Sequence, residues 1–328
     1  MIVIITIKDD FHALTVQKVL REGGYQNCHI FECDRVSGEH RVHWAITPDG
    51  AVGRLLRGDG THINVADIEL IWWRRVHSDQ DLDESVTDEY QRALINNDCR
   101  GALNGILASC FKGQWVSSPE ATDRASDKLY QLTIAREVGF RVPETLISQS
   151  WEQVAEFTKR LNDKVIVKPV VGAAGPLLFT QFVGDPRRLD PKSFQVCPAI
   201  YQEYIEGSEH IRLNCFGDQS FAALIETSDL DWRPNLKVPI RSWPVPASLH
   251  QQVRAVLDRL GLAMGIVDIK RTPDGQFVWL EVNPQGQFLF LQPLTNMPLD
   301  QCFADYLLGL VNGQSRAIVG SEARTKKR

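Results

Sequence analysis

The stretch Val267-Asp268-Ile269-Lys270-Arg271-Thr272-Pro273-Asp274-Gly275-Gln276-Phe277-Val278-Trp279-Leu280-Glu281-Val282-Asn283-Pro284 decides how the chain is read. Asp274-Gly275 is a strong hairpin-turn signal between two apolar runs. With those two as the central turn residues, Asp268 lies opposite Glu281, and Asn283, two residues further on, projects from the same face. Two facing carboxylates repel unless a cation stands between them. A hard divalent ion relieves that, and the all-oxygen set Asp268, Glu281 and Asn283 suits magnesium shared with phosphates. The competing reading is an exposed hairpin with incidental acids. Register and ligand type agree independently, which favours the metal.

Working back from the hairpin, Lys168 ends the apolar strand Val165-Ile166-Val167, just before Pro169 and the small-residue loop Gly172-Ala173-Ala174-Gly175-Pro176. A cation beside a loop of free amides suits a polyphosphate. This is no Walker loop, because GxxxxGK[ST] is absent. Lys128 stands near a helix start, where a cation is slightly unfavourable to the helix dipole. The segment Tyr201-Gln202-Glu203-Tyr204-Ile205-Glu206-Gly207-Ser208-Glu209 is a strand running into a polar turn. Such a strand can offer backbone groups to an adenine edge, and Glu209 could accept from ribose hydroxyls. Taken singly, these are a solvated lysine, a strand and a turn.

Further out, Ile2–Ile7 is a continuous β-branched run, as expected of a buried parallel strand. A helix over Phe11–Glu22, a strand at Cys28–Cys33, a hairpin around Thr47-Pro48-Asp49-Gly50, a strand ending in Trp72-Trp73-Arg74-Arg75 and a long helix to Cys110 follow. Residues 1–118 thus read as a small open α/β domain. Residues 119–196 form a second unit, with one helix capped by Asp123 or Ser126 and ending at Gly139, and a strand at Leu177–Phe182 after the glycine loop. Residues 197–312 hold strands at Ile200–Ile205, His210–Phe216, Ser220–Glu226 and Gly265–Arg271, a helix over Leu249–Leu260, the strand Phe277–Val282 and a last helix near Leu299–Leu308.

Length and composition agree: 328 residues at roughly 150 per domain gives about two domains, and 43% apolar with 23% charged residues is globular. The net charge of −5 argues against a bulk nucleic-acid binder. Residues 313–328 carry five basic residues and Glu322, a net of +4, which leaves −9 on the other 312; this tail reads as a basic, flexible C-terminus. The seven scattered cysteines form no CxxC pair, and MIVIITIKDD is too short for a membrane span or signal peptide, so a reducing cytoplasm and no membrane are expected.

The order SDKLYQL, VIVKP, GAAG, YQEYIEG and D…LEVNP over about residues 120–310 resembles the ATP-grasp superfamily. Within it, the IWWRR strand, the LEVNPQGQFLFL ending and the length resemble the ligases that mature microviridins and other graspetides, although Val76 stands where many of those have proline. The resemblance implies an α/β (α+β) ATP-grasp fold: an N-terminal pre-ATP-grasp domain and two lobes that clamp ATP. It implies that Lys128, Lys168, Gly172 and Gly175 bind ATP phosphates, that Gln202, Glu203, Tyr204 and Ile205 form the adenine hinge, and that Glu209 binds ribose. It implies that Asp268, Glu281 and Asn283 hold Mg2+, and that Arg212, with Lys168, serves catalysis near an acyl phosphate.

The implied reaction activates a carboxylate with ATP and captures the acyl phosphate with a hydroxyl or amine, releasing ADP and phosphate. In graspetide ligases the partner is a ribosomal precursor peptide, a leader plus an acidic core, and a homodimer is one arrangement such an enzyme allows. Arg233, Lys237 and Arg241, in a Pro- and Trp-rich segment, are candidates to meet acidic side chains; a rigid surface loop is the alternative. Two further readings stay open: an ATP-grasp ligase that joins amino acids or adds glutamate to a protein tail, and a non-catalytic nucleotide-binding regulator.

Overall fold

The structure, a computed structural model, describes residues 1–172 and 179–313. Gly175, the start of the strand expected at Leu177–Phe182 and the basic tail from residue 314 onward lie outside the described residues. The N-terminal run forms β1 (Ile2–Thr6) and leads into α1 (Phe11–Glu22), where the Asp10 carboxylate caps the first turn by accepting from the His12 N–H at 3.0 Å. Then come β2 (Cys28–Glu32), β3 (Arg41–Thr47), β4 (Gly50–Leu56), β5 (His62–Asn64), β6 (Leu70–Trp73), α2 (Glu89–Cys110) and β7 (Gln114–Val116). Strands β2, β1, β6 and β7 pair in that order as a parallel sheet, and β3–β5 form a separate antiparallel one. Ile2 and Ile4 enter one core while Val3 and Ile5 enter another, which is why the run is apolar at every position: the sheet is covered on both faces.

The central lobe holds α3 (Pro119–Ser126), α4 (Lys128–Glu137), β8 (Thr145–Ser148), α5 (Trp151–Arg160), β9 (Val165–Lys168), β10 (Gln181–Phe182), α6 (Pro191–Gln195) and β11 (Ala199–Glu203). The single helix expected here is two. Asp127, rather than Asp123 or Ser126, caps the second by accepting from the Leu129 and Tyr130 N–H groups at 2.8 and 3.1 Å, and this places Lys128 at its first residue. The sheet order is β10-β9-β11-β8. Strand β11, expected with the third unit, pairs in the central sheet.

The C-terminal lobe has β12 (Glu209–Phe216), β13 (Gln219–Glu226), β14 (Ile240–Trp243), α7 (Ala247–Leu260), β15 (Met264–Arg271), β16 (Phe277–Asn283), α8 (Gln292–Thr295) and α9 (Leu299–Val311). Its antiparallel sheet runs β14-β13-β12-β15-β16. One face, with Ile211, Leu213, Val267 and Ile269, packs on Val253 and Leu257 of α7. On the other face, cross-strand pairs succeed one another along β12 and β15: His210 with Lys270, Arg212 with Asp268, Asn214 with Ile266 and Phe216 with Met264. That face grades from polar to apolar. Its apolar end, Phe216 and Met264, shares one core with Ile2, Ile4 and Leu20 of the first domain and Phe303 of α9.

Candidate active site

The hairpin reaches the expected pairing by an unexpected route. Arg271 pairs with Phe277, Lys270 with Val278 and Ile269 with Trp279, so the connection is the five-residue loop Thr272–Gln276 instead of a two-residue turn at Asp274-Gly275. That register alone would set Asp268 opposite Leu280. The register shifts between Asp268 and Ile269, however, and Asp268 pairs with Glu281, with Leu280 the extra residue of a β-bulge. Packing agrees: Trp279 and Val282, three residues apart, enter the same core, and Leu280 and Glu281 both face the cavity described next.

Between the central and C-terminal lobes lies a cavity of about 280 Å3. Lys128 and Lys168 come to it from α4 and β9, and Asp268 and Glu281 from the hairpin. Gly172, Gln202, Glu203, Tyr204 and Ile205 also line it. Lys128 Nζ donates to the Pro169 carbonyl at 3.4 Å, which ties the helix start to the strand end. Burial pushes the Lys168 ammonium below its usual range; Lys128 and Arg233 push the same way, and Glu281 and Asp268 oppose them. A group so placed gains from a nearby anion. On the segment expected to form the hinge, Gln202 is buried and donates to Thr145 Oγ1 at 2.9 Å, and the Tyr204 N–H donates to the Lys164 carbonyl at 2.9 Å. The Ile205 N–H finds no acceptor among the described residues. The Glu203 carboxylate turns outward, accepting from Arg141 at 2.9 Å and from the Glu144 N–H at 3.1 Å.

Arg212 sits beside Asp268, and its Nη1 donates to both carboxylate oxygens at 3.0 and 2.9 Å. Its Nη2 donates to the Gln287 carbonyl at 3.0 Å, and the guanidinium lies over the rings of Trp232 and Phe290. Burial raises the Asp268 carboxyl against the opposing pull of Arg212, and Glu281 raises it further. Asp268 and Glu281 fit a hard divalent ion: two carboxylates, one per strand, face the cavity in direct register. Asn283 pairs with Ile266, two residues along the hairpin from Asp268 and Glu281; it is exposed, and its Oδ1 accepts from the Gln285 N–H at 3.0 Å, outside the cavity lining.

The remaining candidates separate. Arg233 lines the cavity and binds the Asp231 carboxylate through Nε at 2.8 Å; that bond raises its pKa. Lys237 is exposed and Arg241 pairs with Glu226 at 3.3 Å, both away from the cavity. Glu209 pairs with Arg271 at 3.1 Å and is likewise absent from the lining. Among the residues that line the cavity without having been anticipated are Lys270 and His210. Burial pulls Lys270 down to about 8 and, helped by Lys270, His210 down to about 4.

The loop leaving β16 is held from the first domain. Arg74 is fully buried, pairs with Asp10 at 2.6 Å and reaches the Gln285 carbonyl at 3.5 Å. His12 Nε2 accepts from the N–H groups of Phe288 and Leu289 at 2.9 and 3.1 Å. Two more contacts secure the outer edge of β16: Gln131 of α4 bonds both the N–H and the carbonyl of Val282 at 2.8 Å, and the Arg141 carbonyl accepts from the Trp279 N–H at 3.0 Å.

Residues 1–123 match the family model of the MvdD pre-ATP grasp domain. A Chryseobacterium gregarium RiPP-associated ATP-grasp ligase, solved in complex with ADP and a leader and core peptide, superposes with a TM-score of 0.84 at 21% identity, covering 97% of this chain and 98% of that one. The chain has the ATP-grasp fold. Macrocyclase MdnC from Microcystis aeruginosa MRC, solved with precursor peptide MdnA, also superposes on this ATP-grasp fold with a TM-score of 0.84, at 25% identity over 94% of this chain and 99% of that one. Among curated proteins, the alpha-aminoadipate–LysW ligase LysX of Sulfurisphaera tokodaii is 24% identical over 193 residues, 56% of this chain and 68% of LysX. Among the described residues no helix is long and apolar enough to cross a membrane.

Proposed function

We propose that the chain is an ATP-dependent ligase that activates Asp or Glu side chains of a ribosomal precursor peptide and closes them into ester or amide rings. The observation that carries this reading is the cavity where two lysines of one lobe meet two carboxylates of the other, in a chain that aligns over nearly its full length with a macrocyclase solved on its precursor peptide and a RiPP-associated ATP-grasp ligase solved with a leader and core peptide. Lys128 and Lys168 would neutralise the phosphates of ATP, and Gln202 to Ile205 would hold adenine, with the free Ile205 N–H as donor. Asp268 and Glu281, with Asn283 swung in from the strand end, would hold Mg2+, which when bound supplies charge neutralisation at the β- and γ-phosphates.

A substrate carboxylate oxygen attacks the γ-phosphorus, the bond to the β-phosphate oxygen breaks, and ADP leaves. A hydroxyl or amine of the same peptide then attacks the acyl carbon, loses its proton and expels phosphate. Arg212, whose buried Nε–H has no partner, stands beside Asp268 to meet the acyl phosphate, and Arg233 in the cavity wall would attract the acidic core. All seven cysteines are free, which suits a reducing cytoplasm.

The LysX likeness favours a second reading, in which a free amino acid is joined to a carrier protein. Mass spectrometry of candidate precursor peptides after incubation with ATP and Mg2+ separates the two. Ring closure leaves each peptide lighter by one water per ring with ADP formed, whereas ligation adds mass. AMP as the product would reject both.

A further inference from the structure

The cavity wall made by β12 and β15 carries a pair that the reading above leaves without a role. His210 and Lys270 face each other in direct register, both are buried and both line the cavity. Among the described residues Lys270 Nζ makes no hydrogen bond or ion pair. Its one compensation is the face of the Tyr204 ring, 5.2 Å away. His210 Nε2 is buried and also without a partner. A buried ammonium with no acid beside it is costly to keep, and an apolar side chain would suit a sheet interior better.

Its place along the strand says what it is for. Lys270 and Asp268 lie on one face two residues apart, a separation of about 7 Å. The Asp268–Glu281 end belongs to the metal and terminal phosphates, and Tyr204 belongs to the hinge that would hold the base. Lys270 therefore stands at the level between base and terminal phosphates. Glu209, the acid expected on the ribose, is turned to Arg271 outside the cavity, and Asp231, the lining acid whose charge acts on His210, is paired with Arg233.

We propose that Lys270, flanked by His210, is a specificity-determining nucleotide contact that donates to the α-phosphate. This rests on the nucleotide reading above. The α-phosphate is shared by ADP and AMP and missing from adenosine, so the three ligands read the contact directly. Calorimetric titration of the full chain with ADP in Mg2+, and competition by AMP and adenosine, would be run on wild type, Lys270→Met and Lys270→Arg. Lys270→Met is expected to weaken ADP and AMP tenfold or more, to leave adenosine unchanged and to raise the melting temperature, because it removes an unpaired buried charge. Lys270→Arg should recover part of the ADP affinity. Equal weakening of all three ligands, or unchanged AMP affinity in Lys270→Met, overturns the contact while leaving the nucleotide reading intact. A wild-type chain that binds none of the three overturns both.

Discussion

Lowering the pH from 7.5 to 5.0 should destabilise the chain in part through His12, and substituting Gln at that position should remove that part. His12 is 6% exposed, and its Nε2 accepts from two backbone N–H groups, so the imidazole must be neutral there. Burial, reinforced by the Arg74 charge and opposed by Asp10, pulls its pKa from 6.5 to about 3. The sign follows from the proton count. The unfolded chain takes up a proton below pH 6.5 and the folded chain does not until about 3, so stability falls as pH falls through that window. At pH 5.0 the accumulated loss is 1.5 pH units, about 2 kcal/mol, a large share of a domain's usual margin.

His12→Gln places an amide oxygen near the Nε2 position and cannot titrate. Urea unfolding at both pH values would measure the difference. His29, His40 and His210, also pulled below their usual range by burial, contribute equally to both proteins and cancel. Wild type should lose about 2 kcal/mol more than the variant between the two pH values. Parallel losses in the two proteins would refute the assignment of His12 as a buried, neutral acceptor.

Deleting Leu280 removes the bulge and joins the two registers, so Asp268 still faces Glu281; nucleotide-dependent turnover should be retained with native circular dichroism, and a folded but inactive deletion variant would show that pairing Asp268 with Glu281 is not enough without the bulge. Arg74→Met leaves Asp10 buried without its cation, a cost of about 3–5 kcal/mol in denaturant unfolding. The double variant Arg74→Met with Asp10→Leu should recover most of it, and no recovery would argue that the pair is held by something other than charge. Arg212→Lys keeps the charge but loses the fork that spans Asp268 and the Gln287 carbonyl; at least a tenfold fall in the rate of ADP release is expected, with thermal stability within a few degrees of wild type.

Much of this was legible in the sequence, and the exceptions have physical reasons. Asp268 was placed opposite Glu281 by assuming a two-residue turn; the true loop shifts the register by one and the Leu280 bulge shifts it back, so two departures cancelled. A bulge inside the apolar run Phe277–Leu280 leaves no periodic trace, because both faces of that strand accept apolar side chains. The helix break at Asp127 was hidden because Asp123, Ser126 and Asp127 are all competent caps, and only packing chooses among them. Lys270 reads as one more basic residue before a turn until His210 is known to lie across from it, and that is a fact of register between strands 60 residues apart. Arg74 could equally have been a solvated charge, since its partner Asp10 lies 64 residues earlier in the chain.

The same contacts change what the first domain is for. A separate domain needs only to sit beside the other two lobes. This one shares a hydrophobic core with the C-terminal sheet and contributes Arg74 and His12 to the loop that leaves β16. Arg212 holds that loop from the other side at the Gln287 carbonyl while gripping Asp268. The backbone from Asn283 to Leu289 is thus fixed by side chains of two domains, and its first residue is the amide that must turn inward if it is to join Asp268 and Glu281 on a metal. Net charge gave no hint of this. A body of −9 nonetheless gathers Lys128, Lys168, Lys270 and Arg233 around one cavity, because what a site binds is set by the few charges that packing brings together and strips of water.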